Sequence, residues 1–124
     1  MRVSPDLIGR EKVLLLEEGH CFREQALTFC QLRKVGDIDT YGASTLATVV
    51  QMVAGGMGVT LLPRLSVAVE GRNPRIDVYP FSSPEPSRQV GLAWRRTSPR
   101  KADFEALGAL ITEANAGLAA DLTS

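Results

Sequence analysis

Val13 to Lys34 reads VLLLEEGHCFREQALTFCQLRK, and the choice of fold class turns on this stretch. Val13, Leu14, Leu15 and Leu16 form an unbroken apolar run closed by Glu17, Glu18 and Gly19, the pattern of a strand buried on both faces. From Phe22 to about Lys34 the apolar residues Phe22, Ala26, Phe29 and Cys30 fall on one helical stripe, flanked by Arg23, Glu24, Gln25, Gln31 and Lys34. A buried strand leading directly into an amphipathic helix is the first part of a crossover unit.

Outward from this unit the alternation continues. Gly36 stops the first helix, and Ile38 to Ala43 reads as a short strand. Ser44 is placed to cap a second helix running to Ala54, which Gly55 and Gly56 end. That helix carries Leu46, Ala47, Val49, Val50, Met52, Val53 and Ala54, with a narrow polar stripe through Ser44, Thr48 and Gln51. A helix apolar nearly all round needs cover on both sides, from its own core or from a partner subunit. Gly58 to Leu62, stopped by Pro63, and Ile76 to Phe81 read as further strands, and Ser82 to Ser87 as a turn or linker. Val90 to Trp94 reads as a strand. Ser98 and Pro99 then open a helix running to about Ala116, with a core-facing stripe of Phe104, Leu107, Leu110, Ile111 and Ala114. Strands alternating with helices at this spacing predict an α/β fold with an open, mostly parallel sheet flanked by helices.

Composition fits one packed domain's worth of chain. The 124 residues are 44% hydrophobic and 23% charged, close to ordinary globular values. Fourteen Lys and Arg balance fourteen Asp and Glu, so no net charge draws this chain to phosphate backbones or anionic lipid. No stretch approaches the roughly 18 uninterrupted apolar residues of a spanning helix, and the first twenty residues, with Asp6, Arg10, Glu11, Lys12, Glu17 and Glu18, lack the apolar region of a leader sequence. A cytoplasmic protein without a membrane partner is expected.

Two cysteines do not make a disulfide scaffold, so each is inert packing, a metal ligand or a redox group. Cys21 lies at the start of the amphipathic helix, after His20 and before Arg23, where free backbone N–H groups and positive charge favour a thiolate. Cys30 lies on the apolar stripe and reads as a small buried hydrophobe. On one continuous helix, nine residues rise about 13.5 Å and turn about 180°. A disulfide needs Cα atoms within about 7 Å. The two cysteines pair only if the helix between them unwinds, which would report oxidation as a change of shape. One histidine and two cysteines at this spacing match no zinc pattern, and no cofactor is implied. Glu17, Glu18 and Asp6 read as surface carboxylates, and no Ser or Thr nucleophile motif is present. Gly55, Gly56 and Gly58 follow a helix and precede a strand, the wrong order for a phosphate cradle.

The segment LLLEEGHCFREQALTFC, Leu14 to Cys30, resembles the redox segment of the hydrogen-peroxide-sensing members of the LysR family of transcriptional regulators. Gly19, His20, Cys21, Arg23 and Cys30 fit that pattern. The stretch from Ser44 through GGMGVTLLP to Pro63 and the stretch PEPSRQVGLAWRR, Pro84 to Arg96, resemble the family's regulatory domain more broadly. GMGVTLLP alone is shared widely in the family and is silent on peroxide. The resemblance implies a periplasmic-binding-protein-like fold. It also implies that Cys21 is the peroxide-reactive cysteine, Cys30 the resolving one, and a Cys21–Cys30 disulfide the oxidised state, with hydrogen peroxide and a reducing dithiol protein as partners. His20 and Arg23 belong to that site. Glu24 stands where an aspartate is common, and Arg88 matches a basic residue of the same pocket. Thr40 stands where some relatives carry a second histidine, so a role for that histidine does not transfer.

By the same resemblance, residues 1–89 form the second α/β subdomain of the regulatory domain, and residues 90–124 the returning strand and last helix of the first. The rest of that first subdomain and the N-terminal winged helix-turn-helix domain, through which DNA would be bound, are expected to lie outside this chain. A homo-oligomer would form through the 44–54 helix, with Leu46, Val49, Val50 and Val53 as interface residues. Two other readings are weighed beside it. One is a regulator domain that binds a small metabolite, with incidental cysteines; the other is a thiol peroxidase, set aside because no substrate site beyond the cysteine is legible.

Overall fold

The computed structural model describes residues 1–17 and 21–123, with side chains to residue 117. The chain divides into two compact units, Met1–Pro86 and Ser87–Ser124.

In the first unit, strand β1 (Lys12–Leu14) pairs in parallel with β2 (Asp37–Asp39), Val13 opposite Ile38, and helix α1 (Cys21–Leu32) crosses between them. Helix α2 (Leu46–Ala54) follows, then the short α3 (Val67–Glu70), with 3₁₀ segments at Pro5–Arg10 and Arg64–Ser66. On the other side of β1 a third parallel segment joins at Val59. The Leu14 N–H donates to the Val59 carbonyl at 2.8 Å, and the Val59 N–H to the Lys12 carbonyl at 2.9 Å. β1 is therefore the central strand, and its apolar run is buried on alternating faces. Val13 and Leu15 pack with Ile8, Ala26, Phe29 and Cys30 under α1, while Leu14 and Leu16 pack with Ala43 and Val49 under α2. This two-sided burial explains why the run is continuous rather than alternating.

The sheet is more economical than the sequence predicts. The run expected as a strand from Val13 to Leu16 has its ladder only through Leu14, although the Leu15 N–H still donates to the Asp39 carbonyl at 2.9 Å. The strand expected from Ile38 to Ala43 occupies Asp37–Asp39. Gly58 to Leu62 is reduced to the bridge at Val59, because the Thr60 hydroxyl donates to the Leu14 carbonyl at 2.7 Å and occupies the next acceptor. Ile76 to Phe81 is reduced to one bridge between Val3 and Phe81, since Pro80 has no N–H to extend a ladder.

Helix ends also shift. Thr45, not Ser44, caps α2, its hydroxyl accepting from the Thr48 N–H at 3.2 Å. At the other end Gly56 takes the left-handed conformation (φ +83°), the Gly56 N–H donates to the Val53 carbonyl, and the Met57 N–H reaches back to the Met52 carbonyl. This is a Schellman motif, and it accounts for the glycine pair read as a stop. Helix α1 ends before Gly36: its left-handed residue is Lys34 (φ +55°).

In the second unit, α4 spans Lys101–Thr123, starting later and ending later than the helix read from Ser98–Pro99 to Ala116. Val90 to Trp94 is not a strand, and no other described segment of this unit is one. It lies along α4 instead, with Trp94 against Phe104 at 5.6 Å between ring centroids and Leu92 over Gly108. The stripe expected to face a core is largely exposed at Leu107, Leu110 and Ile111.

Candidate functional site

The site is built on α1, and the two cysteines mark its first and last turns. Cys21 is the first residue of the helix, exposed and unpaired with another cysteine. In that first turn the backbone N–H groups have no helical acceptor. Two residues on, Arg23 Nη1 donates to the Leu16 carbonyl at 2.7 Å, tying the first turn of α1 to the end of the apolar run of β1. Arg23 Nε is buried with no hydrogen-bond partner among the described residues. Phe22 packs against both apolar clusters at this end of the strand. Glu24 is exposed on the same turn.

Cys30 is in the opposite situation. It is completely buried, enclosed with Val13, Leu15, Ala26 and Phe29, and this burial pushes its thiol pKa up. Its backbone is held as firmly as its side chain. The Val35 N–H donates to the Cys30 carbonyl at 3.0 Å and the Lys34 N–H to the Gln31 carbonyl at 3.1 Å, which makes a second Schellman motif, with Lys34 at its left-handed position. Arg33, just beyond, is stapled to the N-terminal 3₁₀ turn. Its Nη1 lies 2.8 Å from Asp6 Oδ1, its guanidinium lies over the Phe29 ring, and its carbonyl stands so close to Gly9 that a Cβ there would meet it at 2.8 Å.

Among the residues expected at the site, Cys21, Arg23 and Glu24 thus share the first turn of α1, and Cys30 sits in the last turn. His20 lies outside the described residues. Arg88 is exposed in the second unit. Of the interface residues read on α2, Val49 and Val50 are buried in this chain's own packing, where they offer a partner no surface, while Leu46 and Val53 are half-buried. Lys34 and Arg33 were not legible as part of the site. A lysine carries no mark of a left-handed position, and the Asp6–Arg33 pair spans 27 residues. Among the described residues no cluster of His, Cys, Asp or Glu could hold a metal ion. A cavity of about 370 Å³ lies in the second unit, lined by Leu92, Trp94, Phe104, Gly108 and Ile111 among others, and holds neither cysteine.

With a thiol at each end of one helix over a parallel sheet, the comparison with known proteins is specific: residues 1–116 match the LysR substrate binding domain family. The chain belongs to that family. Among relatives of this LysR domain, a probable hydrogen peroxide-inducible genes activator from Mycobacterium avium is 41% identical over 113 residues, 90% of this chain and 36% of the relative. The DNA-binding transcriptional dual regulator OxyR of Escherichia coli K12 is 44% identical over 107 residues, 86% of this chain and 34% of the relative. The chain therefore spans about a third of the length of the curated relatives it matches. Among solved structures, a mutant OxyR from Corynebacterium glutamicum in H2O2-bound form superposes with a TM-score of 0.83 at 29% identity, covering 98% of this chain and 40% of that one. The reduced OxyR regulatory domain from Pseudomonas aeruginosa gives 0.70 at 38% identity, covering 87% and 52%. The LysR domain fold expected from the sequence, periplasmic-binding-protein-like with a parallel sheet and flanking helices, is the fold found. No described helix is long and apolar enough to cross a membrane.

Proposed function

We propose that this chain is the redox-sensing part of a LysR-type transcriptional regulator that responds to hydrogen peroxide. The observation that carries the reading is the placement of the two thiols: Cys21 exposed at the head of α1, Cys30 sealed in its last turn. The Cys21 thiolate attacks one peroxide oxygen, the O–O bond breaks, hydroxide leaves, and Cys21 becomes a sulfenic acid. The Cys30 thiol then attacks the Cys21 sulfur, releasing water and forming the disulfide. Two electrons pass from the thiols to one peroxide, and a reducing dithiol protein returns them. Because about 13.5 Å of helix separates the cysteines, the second step requires α1 to unwind. That converts a local oxidation into a change in the domain's shape, and in the longer regulator into altered subunit packing and DNA binding. The exposed parts of α2, beside Leu46 and Val53, are where a second subunit would dock. One slow cycle of this kind suits a cytoplasmic sensor rather than a turnover enzyme.

The test is to treat the reduced chain with one equivalent of hydrogen peroxide and follow the thiols by intact and peptide mass spectrometry. A loss of about two daltons linking the Cys21 and Cys30 peptides, absent in Cys21→Ser, is expected. Both thiols surviving excess peroxide would end the proposal for this chain.

A further inference from the structure

We infer that Lys34 poises the thiol–disulfide equilibrium, acting as a positioning residue whose left-handed backbone closes the last turn of α1 over Cys30 at a conformational cost. The inference rests on the switch reading above and adds a residue that neither composition nor motif marks. Lys34 occupies the left-handed position of the α1 Schellman motif with φ +55°, a conformation glycine adopts freely and other residues adopt at a cost. The same motif fixes Cys30, whose carbonyl accepts the Val35 N–H. Within this motif, directly before Lys34, the chain is anchored through Arg33 to Asp6 and Phe29. Unwinding that brings Cys30 to Cys21 breaks the motif, and only then is Lys34 free to relax into an extended conformation. The strain at Lys34 is thus present in the dithiol form and released in the disulfide form, which shifts the balance toward oxidation.

The backbone preference is separable from the charge, since Gly, Asn and Val all remove the ammonium group but differ in their tolerance of positive φ. In redox titrations of the full chain against reduced and oxidised glutathione, Lys34→Gly and Lys34→Asn are expected to disfavour the disulfide about fivefold, as one kcal/mol of strain corresponds to that factor. Lys34→Val is expected to favour the disulfide by a similar factor. Asn makes the comparison without the added backbone freedom glycine brings to an unwound chain. Thermal melts provide the readout that a general structural role would not give: Lys34→Asn raises the melting temperature of the reduced chain and leaves that of the oxidised chain unmoved. If the wild type forms the disulfide but all three variants titrate within twofold of it, or if reduced and oxidised melts shift together, the role of Lys34 is overturned. If the wild type forms no disulfide at all, it is the switch reading that fails.

Discussion

The two cysteines differ in what water can reach, and this difference sets their chemistry before any partner is considered. Cys21 is exposed, whereas Cys30 is at zero exposure in an apolar cluster. At pH 8 iodoacetamide is expected to modify Cys21 in the native reduced chain and to modify Cys30 only after denaturant is added; equal labelling of both in native buffer would contradict the buried position. Burial raises the Cys30 pKa, so the folded chain binds that proton more tightly than the unfolded chain does. Its contribution to stability is intact below the unfolded value of about 8.5 and is lost as pH rises through the folded value. A Cys30→Val variant is accordingly expected to lose less stability than the wild type between pH 8 and pH 10, checked by denaturant midpoints at each pH. The positions of Cys21 and Cys30 were legible from the stripe of Phe22, Ala26 and Phe29. The left-handed Lys34 was not, because its conformation is imposed by Val35 and Arg33 packing back on the core and by no preference of lysine.

At the level of elements, β1 and its two covering helices follow directly from the apolar run and the stripes beside it. What the sequence could not convey is how few ladder bonds each predicted strand makes. Pairing depends on which neighbour is present and which acceptors side chains have already taken, and the Thr60 hydroxyl on the Leu14 carbonyl is such a case. The third parallel segment is held close by Gly58, where a Cβ would stand 2.6 Å from the Lys12 carbonyl. Gly58→Ala must therefore push this segment off β1, with an expected loss of about 1–3 kcal/mol, the usual cost of overpacking against a fixed backbone. Chemical denaturation checks it, and a loss below about 0.5 kcal/mol would mean that the bridge at Val59 matters little. The strand read at Val90 to Trp94 has the right pattern and no partner within its unit. Periodicity reports how a segment can pack and cannot supply the neighbour it packs on.

Across the whole molecule, a Cys21–Cys30 disulfide should behave unlike a structural one. Closing a loop of about ten residues lowers the entropy of the unfolded chain by an amount worth about 2.7 kcal/mol. In a unit of 86 residues that would raise the melting temperature by roughly 10–20 °C if the native contacts were untouched. They are not untouched. To meet Cys21, Cys30 must leave the cluster it shares with Val13, Leu15 and Ala26, and its neighbour Phe29 must loosen its packing against Phe81 and Arg33. Surrendering the burial of Phe29 and Cys30 alone costs on the order of 3 kcal/mol, before the lost helical hydrogen bonds are counted. The two magnitudes are comparable, so the oxidised chain is expected to be no more stable than the reduced chain and to show less helix by circular dichroism, both changes reversing with dithiothreitol. A rise of about 10 °C or more on oxidation, with helicity unchanged, would mean that the cysteines pair without unwinding α1 and that the disulfide is a staple.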